Sequence, residues 1–455
     1  MTVRCDFKPS PFPTVILLLA GLLLPWGLAS AAETPGATAP AATAPPRGQI
    51  LIQNLGCPIC HDVPGVTTPI REEAPHLSFQ GEMVRPEWLF AFLKNPAPIR
   101  PSIRGRMPDY RLSDREALAL TEYLRTLRDE TPEPPAALRY RGAPKPEYVA
   151  AGKKLAGKDY FDCNKCHTLG GKQPEGNPEE RAPDLDRIRH RFLPDFFLRW
   201  FANPTKYRPG TKMPGFFPDK DSGPDDILDG DEPQQMAALR DYLFSFGPVQ
   251  VDGGYERARK AHPDVRPAEG RSLMVRLNCV GCHEVASLPN GKRIGPNLAH
   301  QGSRVRREWL VAFLRRPDII KPEYNLMVGG AGQGARMPSF SLTADEANAV
   351  ADYMSQALLA PEAKDPSNGS PPPADLSRQG EQLFAVKFCN NCHRIGQRPG
   401  GIGPNLTNAG QRLQAGWTVN FIQRPTHYLD TRMPNLKVNH EEAKALAAYL
   451  LGEKP

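Results

Sequence analysis

The chain has 455 residues, of which 40% are hydrophobic and 24% charged, a balance that suits several globular domains. The formal charge of +7 is mild for this length, and no run of five or six like charges occurs, which argues against nucleic acid and DNA as partners. The 50 prolines are about twice what an average usage of about 5% would give, and point to loop-rich domains and stiff linkers.

The N-terminus reads as an address. Arg4 and Lys8 precede the apolar run "VILLLAGLLLPWGL", and "ASAAE" follows with Ala29 and Ala31 as small residues at an A-x-A-like cleavage site. Residues 1–31 are expected to be a secretory signal peptide. The competing reading, an uncleaved anchor, is weakened because the run is short for a membrane span and is broken by Pro25. The mature chain is thus expected to be periplasmic or otherwise exported, and soluble after cleavage, with association to a membrane as the alternative. Residues 32–47, with "ETPGATAPAATAPP", read as a low-complexity tether.

Beyond it, one pattern occurs four times. The segments are "CPICH" at Cys57, Cys60 and His61; "CNKCH" at Cys163, Cys166 and His167; "CVGCH" at Cys279, Cys282 and His283; and "CNNCH" at Cys389, Cys392 and His393. Successive first cysteines are 106, 116 and 110 residues apart, so one structural unit is repeated. Of nine cysteines only Cys5, upstream of the apolar run, is left over.

Other features keep step. A glycine (Gly48, Gly152, Gly270, Gly380) opens a helix-compatible stretch before each motif. A Pro-x-Leu turn follows it at Pro75, Pro183, Pro296 and Pro404, then a tryptophan at Trp88, Trp200, Trp309 and Trp417. Next comes Met-Pro, at Met107, Met213, Met337 and Met433, each methionine preceded by a basic residue. An Ala-rich helix then ends near Tyr123, Tyr242, Tyr353 or Tyr449. The second repeat carries an acidic insertion, "PDKDSGPDDILDG", and the third carries "YNLMVGGAGQGARMPSF", with Met327 as a rival to Met337. Ser113 to Glu116, Thr343 to Glu346 and Asn439 to Glu442 have the spacing of capping boxes.

No alternating strand pattern is present, so the expected fold class is all-α. Four helical domains are expected at 48–130, 146–250, 266–360 and 375–455, joined by Pro-rich linkers such as "DETPEPPAALRYRGAPKPE" and "DGGYERARKAHPD".

A zinc ribbon needs a second cysteine pair about 15 to 20 residues away, and the next pair here is far beyond that. A thioredoxin-like motif needs a βαβ context. A disulfide between residues three apart would be strained and would not need the histidine. Covalent attachment of haem c remains. Two thiols one helical turn apart reach the two vinyl groups on one haem edge, and the adjacent histidine ligates the iron. Four covalently attached haems are expected.

With C-x-x-C-H, Pro-x-Leu, Met-Pro and the closing aromatic helix in register, residues 48–455 resemble the class I, bacterial-type cytochrome c family repeated in tandem. The resemblance implies that each Pro-x-Leu proline carbonyl orients its histidine. It also implies that Met107, Met213, Met337 and Met433 are the distal iron ligands, and that the first and last helices of each unit cross beside the haem. His76 stands in the column of Asp184, Asn297 and Asn405 and reads as a turn residue. His190, His300, His427 and His440 read as surface groups.

Iron held by histidine and methionine has both axial positions filled, which suits an electron carrier and leaves no catalytic residue to name. The expected partners are redox protein donors and acceptors, including a membrane respiratory or dehydrogenase complex. The alternative is a peroxidase-like or oxyanion-reducing enzyme with one five-coordinate haem. The four Met-Pro pairs argue against it, and the third repeat is where such a site would lie.

Overall fold

The computed structural model describes residues 45–99, 105–128, 133–177, 181–219, 221–285, 287–317, 337–363, 373–396, 403–429 and 431–452. They form one compact unit within Pro45–Pro455. It is all-α: among the described residues there are helices and isolated backbone bridges but no strand. The signal peptide at 1–31, nearly all of the tether at 32–47, and Met327 lie outside the described residues.

Four opening helices, Arg47–Asn54, Pro146–Leu155, Pro267–Arg276 and Ala374–Val386, each carry the repeat's glycine. Four closing helices are Asp114–Arg125, Glu232–Phe244, Ala344–Ala357 and His440–Leu451. The glycine is where the two cross. A Cβ on Gly152 would stand 2.1 Å from the Ala238 carbonyl oxygen, and one on Gly380 would stand 1.9 Å from that of Ala445. Backbone lies against backbone, so no side chain fits. Ser113, Thr343 and Asn439 each close both bonds of the capping box with Glu116, Glu346 and Glu442, as their spacing predicts. In the second repeat the Asp231 side chain caps instead, accepting from the Gln234 N–H.

The second and fourth repeats fold on themselves, but the first and third exchange halves. Gly48 meets Ala349 and Tyr353 of the third repeat's closing helix. Gly270 meets Ala119 and Tyr123 of the first. The hydrophobic cores follow the same exchange. Ile52, Leu55 and Cys57 share one core with Trp309, Met337, Val350 and Met354. Leu273, Met274 and Cys279 share another with Trp88, Met107, Leu118 and Leu124. The chain crosses near residues 70–75 and returns near 291–294, where Arg71 donates to Asn290 at 3.0 Å. The contiguous boundaries 48–130 and 266–360 expected from the repeats therefore each hold halves of two modules. The four modules are named below by their motif histidines.

Two segments expected to be linkers are part of the fold. Gly254–Ala261 is a helix whose Tyr255 and Ala258 are buried in the core of the His283 module. The Tyr255 hydroxyl donates to Glu122 at 2.6 Å. Leu138 is buried in the core of the His167 module, and its carbonyl accepts from the buried Arg240 at 2.6 Å.

Candidate functional site

Each C-x-x-C-H motif is a single helical turn entered through a left-handed residue. Gly56, Asp162, Asn278 and Phe388, immediately before the first cysteine, have φ of 71°, 46°, 58° and 59°. In the first, third and fourth repeats this reversal lies two residues beyond the end of the opening helix and starts a new turn at once; in the second, Asp162 lies seven residues beyond the helix end at Leu155. The histidine N–H closes that turn on the first cysteine's carbonyl, at 2.9, 3.0, 2.9 and 2.9 Å for His61, His167, His283 and His393.

Each imidazole then meets a Pro-x-Leu carbonyl. His167 Nδ1 lies 2.6 Å from the Pro183 oxygen, and His393 Nδ1 lies 3.0 Å from that of Pro404, both within one repeat. In the exchanged pair the partners cross: His61 Nδ1 lies 2.9 Å from Pro296 O, and His283 Nδ1 lies 3.0 Å from Pro75 O. A carbonyl only accepts, so Nδ1 carries the proton and Nε2 keeps its lone pair. Burial lowers the pKa of His61, His167 and His283, partly offset by these bonds, which favours the neutral, ligating form. Turn backbone fastens the motif as well. Gly295 N–H donates to Cys60 O at 2.7 Å, as Ala182 does to Cys166 O at 2.9 Å and Gly403 to Cys392 O at 2.8 Å.

Burial pushes the thiols of Cys57, Cys163, Cys279 and Cys282 up to about 12. Such thiols are not activated nucleophiles, and among the described residues no disulfide joins any of the eight motif cysteines.

The methionines divide in the same way as the histidines. Met107 packs on the core that holds Cys279, Met337 on the core that holds Cys57, and Met213 on the core that holds Cys163. Met433 is half-buried, its N–H donating to Thr431 Oγ1 at 3.1 Å, as Met213 N–H donates to Thr211 Oγ1 at 3.3 Å.

The tryptophans are not four copies of one position. Trp88, Trp309 and Trp417 stack on Phe92, Phe313 and Phe421, with centroids 4.8, 4.9 and 4.6 Å apart. In the second repeat the order is reversed: Phe196 precedes Trp200 by one turn, and the Trp200 indole N–H donates to the Met213 sulfur at 3.0 Å. Trp417 is buried, and its Nε1 finds no partner among the described residues.

His76 lies in the irregular segment between two short helices, and it is not idle: its Nε2 lies 2.6 Å from a Glu284 carboxylate oxygen, across the exchange. His300 stacks edge-on against Tyr428, a ring buried at the edge of the His61 core. Tyr207 and Tyr428 were missed as functional markers. Each closes a P-T-x-Y segment, Pro204–Tyr207 or Pro425–Tyr428, and docks in the core of a neighbouring module. The first and third repeats lack this segment, so the signal was available in the sequence.

Residues 267–357 and 377–453 match the cytochrome c family. These two segments are similar in sequence to cytochrome c domains. They imply covalently bound haem c and haem-based electron transfer. The match over 267–357 spans one linear repeat whose two halves the fold places in different modules. No curated protein and no solved structure matches the chain.

Proposed function

We propose that the protein is an exported tetrahaem c-type cytochrome, class I in each of its four modules, that carries electrons between redox proteins. The observation that supports this most is the fourfold Nδ1–carbonyl bond, which leaves four Nε2 lone pairs beside four cysteine pairs. The residues fit the group. Two thiols on one turn suit two thioether bonds, and a methionine belongs to each repeat. The buried, unpartnered Trp417 N–H suits an anionic group such as a propionate.

Haem would be held by Cys57 and Cys60, Cys163 and Cys166, Cys279 and Cys282, and Cys389 and Cys392. His61, His167, His283 and His393 would be the proximal ligands, with Met337, Met213, Met107 and Met433 opposite them in that order. Bound haem supplies a one-electron ferric–ferrous couple. The Pro-x-Leu carbonyls fix the four imidazoles, and burial favours the neutral form of His61, His167 and His283; a histidine and a methionine on each bound haem would leave its iron no open position for substrate.

Partners are proposed to be protein electron donors and acceptors, among them a membrane respiratory or dehydrogenase complex, and not nucleic acid. Export rests on the reading of residues 1–31. Among the described residues, no helix is long and apolar enough to cross a membrane.

Optical spectroscopy of protein matured in a periplasm tests the reading. Four haems per chain, a methionine–ferric charge-transfer band and no carbon monoxide binding to the reduced form are expected. Rapid binding of carbon monoxide by one haem would replace electron carriage with an enzyme having an open iron.

A further inference from the structure

Among the described residues, three sets of contacts join the four modules. The His167 and His283 modules meet at a backbone bridge between Val84 and Phe192. Arg85 N–H donates to Arg191 O at 2.8 Å, Leu193 N–H donates to Met83 O at 3.0 Å, and the Arg191 guanidinium lies over Trp88 at 4.7 Å. The His61 and His393 modules meet in the same way. Val305 bridges Leu413, Arg306 N–H donates to Arg412 O at 2.8 Å, and Arg304 lies over Trp417 at 5.2 Å.

The third contact, between the His283 and His61 modules, uses a different face. It is formed by the motif turns and the methionine loops themselves. Asn278 Nδ2 donates to Cys60 Sγ at 3.5 Å. Asp109 and Ser339, each two residues after its methionine, exchange backbone hydrogen bonds of 2.8 Å in both directions. Arg111 donates to Met337 O at 3.0 Å, and Arg106 forms an ion pair with Glu346.

We propose that the attachment motifs of the first and third repeats form a central pair, and that the path runs His167, His283, His61, His393. Electrons would then enter and leave at the second and fourth motifs, not at the first and fourth. This rests on the four-haem reading. With haem bound at the four motifs, each transfer would move one electron and no atoms, the iron left being oxidised and the iron reached being reduced. A one-electron donor protein supplies one end, and a one-electron acceptor protein drains the other.

The order is tested by one cut and one cross-link in the full holo-protein. Val249 and Val251 are 37% and 48% exposed and lie between the second and third repeats, so a protease site is inserted after Gln250. Exchanged modules keep the two fragments, each with two motifs, as one species in native size exclusion at neutral pH, separable in denaturant. Domains strung in chain order release two halves. In the same protein, Asp109→Cys with Ser339→Cys adds a test of the central face. A pair that exchanges both backbone bonds has Cα atoms about 5.5 Å apart, within disulfide reach. On a denaturing gel the cut variant should run at full mass without reductant and as two fragments with it. Native separation of the halves, or no cross-link in a variant that keeps four haems, overturns the order while leaving the function standing. A haem count other than four in the unsubstituted protein overturns both.

Discussion

At the glycine that opens each repeat, a single hydrogen decides whether two helices can meet. Gly270 faces the Ala119 carbonyl with room for no side-chain atom, since a Cβ would stand 1.9 Å from its oxygen. Gly270→Ala is expected to push the opening helix off the closing helix and cost about 1–3 kcal/mol, read as a lower denaturant midpoint with unchanged slope. At the second site, Trp200 withdraws electron density from the Met213 sulfur through its indole N–H. On the proposed four-haem reading, with Met213 as a ligand, loss of that donor would make the sulfur the better ligand for ferric iron, so Trp200→Phe should lower one of four midpoint potentials and leave three in place. A potentiometric titration in which none falls, or all fall, would refute the assignment. These residues differ in how they could be read in advance. Gly270 keeps register with its three counterparts, whereas Trp200 sits one turn from the place its counterparts occupy. The sequence carries this difference in spacing: Trp88, Trp309 and Trp417 stand seven residues before Asn95, Arg316 and Arg424, and Trp200 stands three before Asn203.

At the scale of the element, the closing helices were legible because their start is a local device. Ser113 and Glu116 satisfy each other's backbone N–H within one turn, whatever the rest of the chain does. Ser113→Ala should cost about 1 kcal/mol by unfolding, and a lowered thermal midpoint with intact haem spectra would show it. The helix Gly254–Ala261 was not legible. Its charge and its glycines match a linker, yet Tyr255 and Ala258, three apart, line one face and are buried. Two apolar positions are too few to announce a helix until a core exists to receive them. The same holds for Leu138, whose surroundings in sequence are prolines and arginines.

Across the whole molecule, the face between the central modules is partly ionic. The Arg106 guanidinium beside Glu346 holds that carboxyl below the usual range, opposed by burial. A carboxyl whose pKa is depressed by folding stabilises the folded state above its unfolded pKa, and this contribution is lost as pH falls through the folded value. The cut protein should therefore hold together at neutral pH and separate more readily in acid. Arg106→Gln keeps the Glu346 capping box but should flatten that acid dependence, as read by size exclusion across a pH series. If the unsubstituted cut protein and Arg106→Gln respond to acid alike, the ion pair contributes nothing to the contact.

The sequence by itself determined the parts of each candidate site: two thiols and an imidazole on one turn, a Pro-x-Leu turn and a methionine before proline, to which the family resemblance added the carbonyl that orients the ring. These are contacts between residues close in the chain or devices repeated in register, so four copies can be read one at a time. Only the tertiary structure decided which copy completes which. Pro75 and Pro296 offer the same carbonyl to the same kind of imidazole, and Gly48 and Gly270 present the same flat helix face. Nothing in the local chemistry distinguishes a repeat closing on itself from two repeats closing on each other. That choice was made by contacts no single repeat contains, with Asn278 against Cys60, Asp109 against Ser339, and Tyr207 and Tyr428 docking the outer modules onto the crossed pair.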